Sequence, residues 1–169
     1  MLSKLSLAPT LLLLAGCVTT GSENYQSIAD LQSKGLTPLS GEEITKLLTG
    51  NTLVGEYVTT PSANFENKKN KWMEYYDVNG TTNYRYCEAQ KNKNWDCGKN
   101  VAGAWHVKEN ELCFSYDDSA IHDRCFQIYN DQSSYLIAAT NFKSAGYVRA
   151  RIDKISDGFV EDIPFSTHP

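Results

Sequence analysis

Leu112-Cys113-Phe114-Ser115-Tyr116 and Arg124-Cys125-Phe126-Gln127-Ile128 carry the clearest signal of how this chain folds. In both runs apolar residues alternate with other residues at period two, the signature of a β-strand with one face on a core. Antiparallel pairing that sets Cys113 opposite Cys125 also sets Leu112 opposite Phe126. The apolar residues then share one face and the sulfurs the other, so the register is self-consistent. Applied to Tyr84-Arg85-Tyr86-Cys87 and Cys97-Gly98-Lys99, the same test puts a turn near Asn92, inside Lys91-Asn92-Lys93-Asn94. Of the three pairings open to four cysteines, Cys87–Cys97 and Cys113–Cys125 are therefore expected, each clamping a hairpin. Loops this short contribute roughly 2 to 3 kcal/mol each. A zinc site wants closer paired spacing, and a nucleophilic cysteine wants a thiol kept reduced.

Working outward, the chain from residue 52 consists of short β-branched and aromatic runs separated by Asn, Gly, Asp and Lys, the texture of an antiparallel meander. Strands are expected near 52–59, 71–78, 82–89, 101–107, 111–117, 123–129, 134–140 and 146–155. Asn79-Gly80 is a hairpin signal in which both turn positions take positive φ, and Asn110 serves a later turn. A mainly β meander of about eight strands should curl into a small barrel or strongly bent sheet, since closure removes exposed edges. Residues 61–70 are polar and Lys/Asn-rich and read as a mobile loop. Ahead of the strands, Tyr25, Ile28 and Leu31 fall at helical spacing, with Gly35 to end that segment. Ser40-Gly41-Glu42-Glu43 matches a capping box, and Ile44, Leu47 and Leu48 share one face, so a helix is expected over 41–49. The tail, 156–169, reads as irregular, with Phe159, Ile163 and Phe165 able to dock.

The whole chain has 169 residues, 41% of them hydrophobic and 21% charged, with a mean hydropathy of −0.44. That suits one globular domain and excludes multi-span membrane, collagen-like and coiled-coil classes. Met1 to Gly16 has one cation, Lys4, ahead of the apolar run Leu11-Leu12-Leu13-Leu14, which is shorter than the roughly 20 residues a membrane-spanning helix needs. It reads as a signal peptide. Leu14-Ala15-Gly16-Cys17 resembles the lipobox of bacterial lipoproteins, which implies cleavage before Cys17 and lipidation of its sulfur and amine. Three acyl chains at about 0.8 kcal/mol per buried CH2 make a near-permanent membrane anchor. Val18 stands where enteric bacteria place Asp for inner-membrane retention, so the expected site is the outer membrane, facing the periplasm. The expected organisation is then 1–16 signal peptide, 17–24 lipidated cysteine and tether, 25–50 short helices, 51–155 β-domain and 156–169 tail. The tether reaches at most about 25 Å. Cleavage takes one Lys and no acid from 16 basic and 20 acidic side chains, moving the net charge from −4 to −5. A mildly acidic, exported body excludes nucleic acid as a partner.

Leu48-Thr49-Gly50-Asn51-Thr52, Tyr75-Tyr76-Asp77-Val78-Asn79-Gly80, Gly103-Ala104-Trp105-His106-Val107, Leu112-Cys113-Phe114 and Cys125 together resemble a family of small exported alphaproteobacterial proteins of unknown function. That pattern runs glycine-threonine, aspartate-glycine, glycine-x-tryptophan, leucine-cysteine, cysteine, and covers roughly residues 48 to 128. This chain departs from it at Asn79, where an acid is usual, and by adding Cys87 and Cys97. The resemblance implies an extracytoplasmic domain with a barrel like the lipocalin and avidin group, and no activity.

The three histidines, His106, His122 and His168, have no metal-site spacing, and no Gly-x-Ser-x-Gly, His-Glu-x-x-His or Walker pattern occurs. Asp117, Asp118 and Asp123 crowd one turn beside His122 without the regular series of a calcium loop. No cofactor or metal is expected. Aromatic residues are more suggestive: Trp72, Tyr75, Tyr76, Tyr84, Tyr86, Trp95 and Trp105 lie on or beside consecutive strands, near Lys68, Lys69, Lys71, Arg85, Lys91 and Lys93. Such faces hold glycans or anionic lipid head groups. The candidate binding residues are Trp72, Tyr84, Tyr86, Trp95, Trp105 and His106, and Trp95 is expected to be exposed at a polar hairpin tip. The expected function is a non-catalytic binding or interaction module in the cell envelope, for a protein, glycan or lipid. The alternative is an envelope enzyme with a site assembled by the fold around His106.

Overall fold

Alternation and turn chemistry are local signals, and the backbone follows them closely. The structure is a computed structural model that describes residues 25–63, 70–90, 95–116 and 123–161. Its strands are β1 (Asn51–Tyr57), β2 (Asn70–Tyr76), β3 (Thr81–Ala89), β4 (Trp95–Cys97), β5 (Val101–Lys108), β6 (Glu111–Tyr116), β7 (Arg124–Asn130), β8 (Tyr135–Ala139) and β9 (Val148–Asp157). Every pairing is antiparallel between neighbours along the chain, except that β5 passes over β4 to pair with β3 and β1 pairs with β9. The pairing of first with last strand closes an eight-stranded up-and-down barrel, and β4 hangs on the end of β3 as a short extra strand. The lipidation motif, the tether, the turn near Asn92, Asp117, Asp118, His122, His168, Ile163 and Phe165 lie outside the described residues.

The strand pair that anchored the sequence argument adopts the expected register, with Cys113 opposite Cys125 and Leu112 opposite Phe126. Both expected disulfides are formed, Cys87–Cys97 across β3 and β4 and Cys113–Cys125 across β6 and β7. The Asn79-Gly80 hairpin differs in detail. Only Gly80 takes a positive φ, +79°, because Asp77 Oδ1 accepts from the Asn79 amide at 2.8 Å and pins a turn over 77–80 closed by Gly80 N–H to Asp77 O at 3.1 Å. Four loop residues ending in a left-handed glycine replace the two-residue turn with both positions left-handed.

Side chains sort by strand alternation. Leu53, Trp72, Tyr76, Trp105, Leu112, Phe126, Ile128, Ile137, Ala150 and Ile152 point inward and form the main core. Helix α2 (Gly41–Leu48) seals one end of it with Ile44 and Leu48, both fully buried. Its capping box is complete: the Glu43 amide donates to Ser40 Oγ at 3.3 Å, and the Ser40 amide donates to Glu43 Oε2 at 2.8 Å. The Gly41 amide also donates to Asn110 Oδ1 at 3.0 Å, fastening the helix start to the β5–β6 turn. Helix α1 (Ile28–Ser33) lies on the outside, where Leu31 packs on Tyr129, Leu136, Ala138 and Val148. Beyond β9, Phe159 stacks edge-on against Tyr75 with ring centroids 5.4 Å apart, yet stays half exposed.

Candidate functional site

With one end closed by α2, the inward-facing residues of the other half of the barrel do not fill it. They leave a cavity of about 350 Å³ lined by Tyr57, Trp72, Glu74, Tyr84, Phe114, Tyr116, Arg124, Phe126, Phe142 and Arg149, among others. This lies at the lower end of the roughly 300–1,000 Å³ typical of small-molecule sites. Its walls are aromatic, with Phe114 stacked on Phe126 at 4.9 Å and Phe126 edge-on to Phe142 at 5.2 Å. Gly103 makes room for one of the lining rings. A Cβ there would lie 2.5 Å from Ser115 O and 2.7 Å from Tyr116 Cδ1, so the Tyr116 ring occupies space that a side chain on β5 would take.

The deep end of the cavity holds one carboxyl group. Glu74 is 3% exposed, and its oxygens lie 2.7 Å from Thr82 Oγ1, 2.8 Å from Tyr116 Oη and 2.8 Å from Tyr76 Oη. Thr82 Oγ1 is also 2.8 Å from the Tyr75 carbonyl oxygen, and one hydroxyl proton cannot serve both acceptors. Thr82 therefore divides its one proton between the carboxyl and the carbonyl. Burial independently pushes the Glu74 carboxyl up, outweighing the three hydroxyls that pull it down. Glu74 therefore keeps its proton to higher pH than an exposed glutamate does. Above it, Tyr57 Oη and Tyr84 Oη are 3.0 Å apart, and burial pushes both phenols up.

The end away from α2 is cationic. On β9, Ala150 pairs with Ile137 and Val148 with Ala138, leaving Arg149 as the extra residue of a β-bulge. A bulge re-aims a side chain out of strict alternation, and Arg149 joins the cavity lining beside the inward-facing Ala150. Its guanidinium lies 5.0 Å from the Phe142 ring centroid and 5.7 Å from that of Tyr57, while Arg124 lies 5.6 Å from the same Phe142 ring. Burial lowers the Arg149 pKa, and the neighbouring Arg124 charge adds to that, against the pull of Tyr57 and Tyr84.

Of the residues singled out in the sequence, Trp72 and Tyr84 meet in the cavity wall. Tyr86 lies outside that lining and donates to Asn70 Oδ1 at 2.7 Å or Glu88 Oε1 at 2.8 Å. Trp105 is a core residue at the α2 end, with 8% exposure. Trp95 is half-buried rather than exposed, because pairing of β4 with β3 lays it opposite Ala89. His106 alternates with Trp105 and therefore stands exposed on the outer wall. Lys71 is also on the outer wall, 3.3 Å from Glu56 and 2.5 Å from Asp153, so that part of the basic face is occupied by ion pairs. The one cluster of potential metal ligands among the described residues, Glu111 with Cys113 and Cys125, has both sulfurs committed to a disulfide. Glu74, Arg124, Arg149, Tyr116 and Phe142 were not singled out from the sequence. Glu74 had a usable signal, since it sits two residues from both Trp72 and Tyr76 and so shares their inward face.

The state of Glu74 has a measurable consequence. A carboxyl whose folded pKa lies above its ordinary 4.5 contributes most to stability below that value, and the contribution is lost as pH rises through the folded value. Wild-type stability relative to Glu74→Gln, which is neutral throughout, should therefore decline as pH is raised above 4.5. Thermal melts of the two proteins across pH 4 to 9 check this; curves that stay parallel would show Glu74 to be ionised in the fold.

Comparison with protein-family models, curated proteins and solved structures returns no match to this chain.

Proposed function

We propose that this chain is an exported, lipid-anchored binding protein whose barrel takes a small, largely apolar ligand without catalysing a reaction. The observation that carries this reading is the aromatic-lined cavity inside a barrel closed at one end by α2. A cavity of about 350 Å³ suits a small molecule rather than a folded partner or a glycan chain. Export is supported by Leu14-Ala15-Gly16-Cys17 and by two disulfides, which persist in oxidising compartments. Val18 after the lipidated cysteine supports the outer membrane, facing the periplasm, as the site of the anchor. The position of His106, on the outer wall and away from the cavity, favours binding over an enzyme built around that residue.

Two measurements on the full chain test the reading. Calorimetric titration with 2-naphthylethanol, an uncharged aromatic probe, should give saturable binding, with NMR shift changes concentrated on Trp72, Tyr84, Phe114 and Phe126. Mass spectrometry of the protein from native membranes should find an N-terminal peptide beginning at a lipid-modified Cys17. Absence of saturable binding both by this probe and by its carboxylate and phosphate analogues would defeat the ligand reading, and an unmodified Cys17 would defeat the anchor.

A further inference from the structure

The two ends of the cavity differ in charge, and that difference specifies the ligand more narrowly. At the deep end the Glu74 carboxyl is enclosed by the hydroxyl groups of Tyr76, Thr82 and Tyr116, which take up its hydrogen-bonding capacity. At the other end Arg149 and Arg124 place two like charges against one ring, Phe142. The ion pairs among the described residues join Lys71 and Arg151 to Glu56 and Asp153 on the outer wall, and none of them reaches Arg149. Contact with Phe142 and Tyr57 offsets part of the desolvation of Arg149. It supplies no negative charge to Arg149. Arg149 reaches this position only through a β-bulge that interrupts the ladder between β8 and β9. A local break in strand pairing that aims a guanidinium into a partly buried cavity is the arrangement an anion would satisfy, and guanidinium groups match carboxylate and phosphate oxygens in geometry.

We infer that the ligand is a small amphipathic anion, with its carboxylate or phosphate-ester head at Arg149 and Arg124 and its apolar body running inward past Phe114 and Phe126 toward Glu74. This rests on the cavity being a binding site, as proposed above. The cavity volume excludes a whole two-chain lipid, so the ligand is a single aromatic or short-chain compound.

The test compares three probes with one ring system, 2-naphthylacetate, 2-naphthyl phosphate and the uncharged 2-naphthylethanol, titrated calorimetrically against the full chain. At least one anion should bind about tenfold or more tightly than the alcohol, as a charge-assisted hydrogen bond in a partly buried site predicts. The tighter of the two identifies the head group. Arg149→Met should shrink the anion-to-alcohol ratio to within about threefold of unity, the residue of a preference that has lost one of its two guanidinium groups. If the alcohol binds as tightly as both anions, the inference is overturned while the binding reading stands. If no probe binds, the binding reading itself fails. The wild-type ratio is decisive even where Arg149→Met does not fold, and in that case Arg124→Met supplies the second comparison.

Discussion

Replacing both cystines by serine pairs is expected to destabilise the protein by roughly 4 to 6 kcal/mol, from the chain-entropy estimate for two short loops. The crosslinks span 10 and 12 residues, and in the unfolded chain each removes the freedom of one hairpin. Cys87 and Cys113 are fully buried, so serine hydroxyls at those positions add a desolvation cost. Against a typical total of about 5 to 15 kcal/mol, the loss would leave a large unfolded fraction. The two bridges should also differ in kind. Cys113–Cys125 joins two strands of the closed barrel next to the cavity, whereas Cys87–Cys97 fastens β4, which lies outside the closed ring. Loss of the first should therefore impair ligand binding as well as stability, and loss of the second mainly stability. Urea titrations of the single and double pair variants check both points; a double variant within about 1 kcal/mol of wild type would contradict the loop argument.

Trp105→Ala is expected to cost about 3 to 5 kcal/mol, the range for removal of a large buried aromatic side chain. The indole is edge-on to Tyr76, with centroids 5.7 Å apart, and its Nε1–H donates to the Asp77 carbonyl at 3.1 Å. The Trp105 amide donates to the Gly80 carbonyl at 2.8 Å, so one residue braces the whole 77–80 turn against the core under α2. Alanine keeps the amide bond, loses the ring and the Nε1 donor, and leaves a void where α2 closes the barrel. Equilibrium unfolding in urea measures the cost. A loss below about 1 kcal/mol would place the ring outside the load of the core and reopen a binding role for it. The contrast with Trp95, on a strand beside the barrel, shows why aromatic residues of similar appearance in the sequence have different roles.

Much of the site was legible in principle and little of it in practice. The inward face of β2 alternates Trp72, Glu74 and Tyr76, so a carboxylate on a core face was legible in the alternation alone. What that pattern lacked was the identity of its partners: Thr82 comes from β3, across the hairpin, and Tyr116 from β6, 42 residues away. Arg149 had no signal at all, because simple alternation with Ala150 sends it outward and only the bulge brings it in. Phe142 lies in the loop between β8 and β9, where periodicity has nothing to say about direction.

The sequence by itself determined the eight strands of the barrel, though not the short β4, together with both disulfides and the register of the Cys113–Cys125 hairpin, since period-two alternation and short connections act between residues near each other in the chain. It also determined α2, through a capping box complete within four residues. The choice between a closed barrel and a bent sheet was left to tertiary structure, because it depends on one pairing, β1 with β9, that joins Asn51–Tyr57 to a strand nearly 100 residues later. No local pattern encodes that contact. It forms because unpaired edges at both ends of the meander are satisfied by each other. The cavity follows from the same closure: only a ring of fixed circumference, plugged at one end by Ile44 and Leu48, decides which inward side chains meet and which leave space between them.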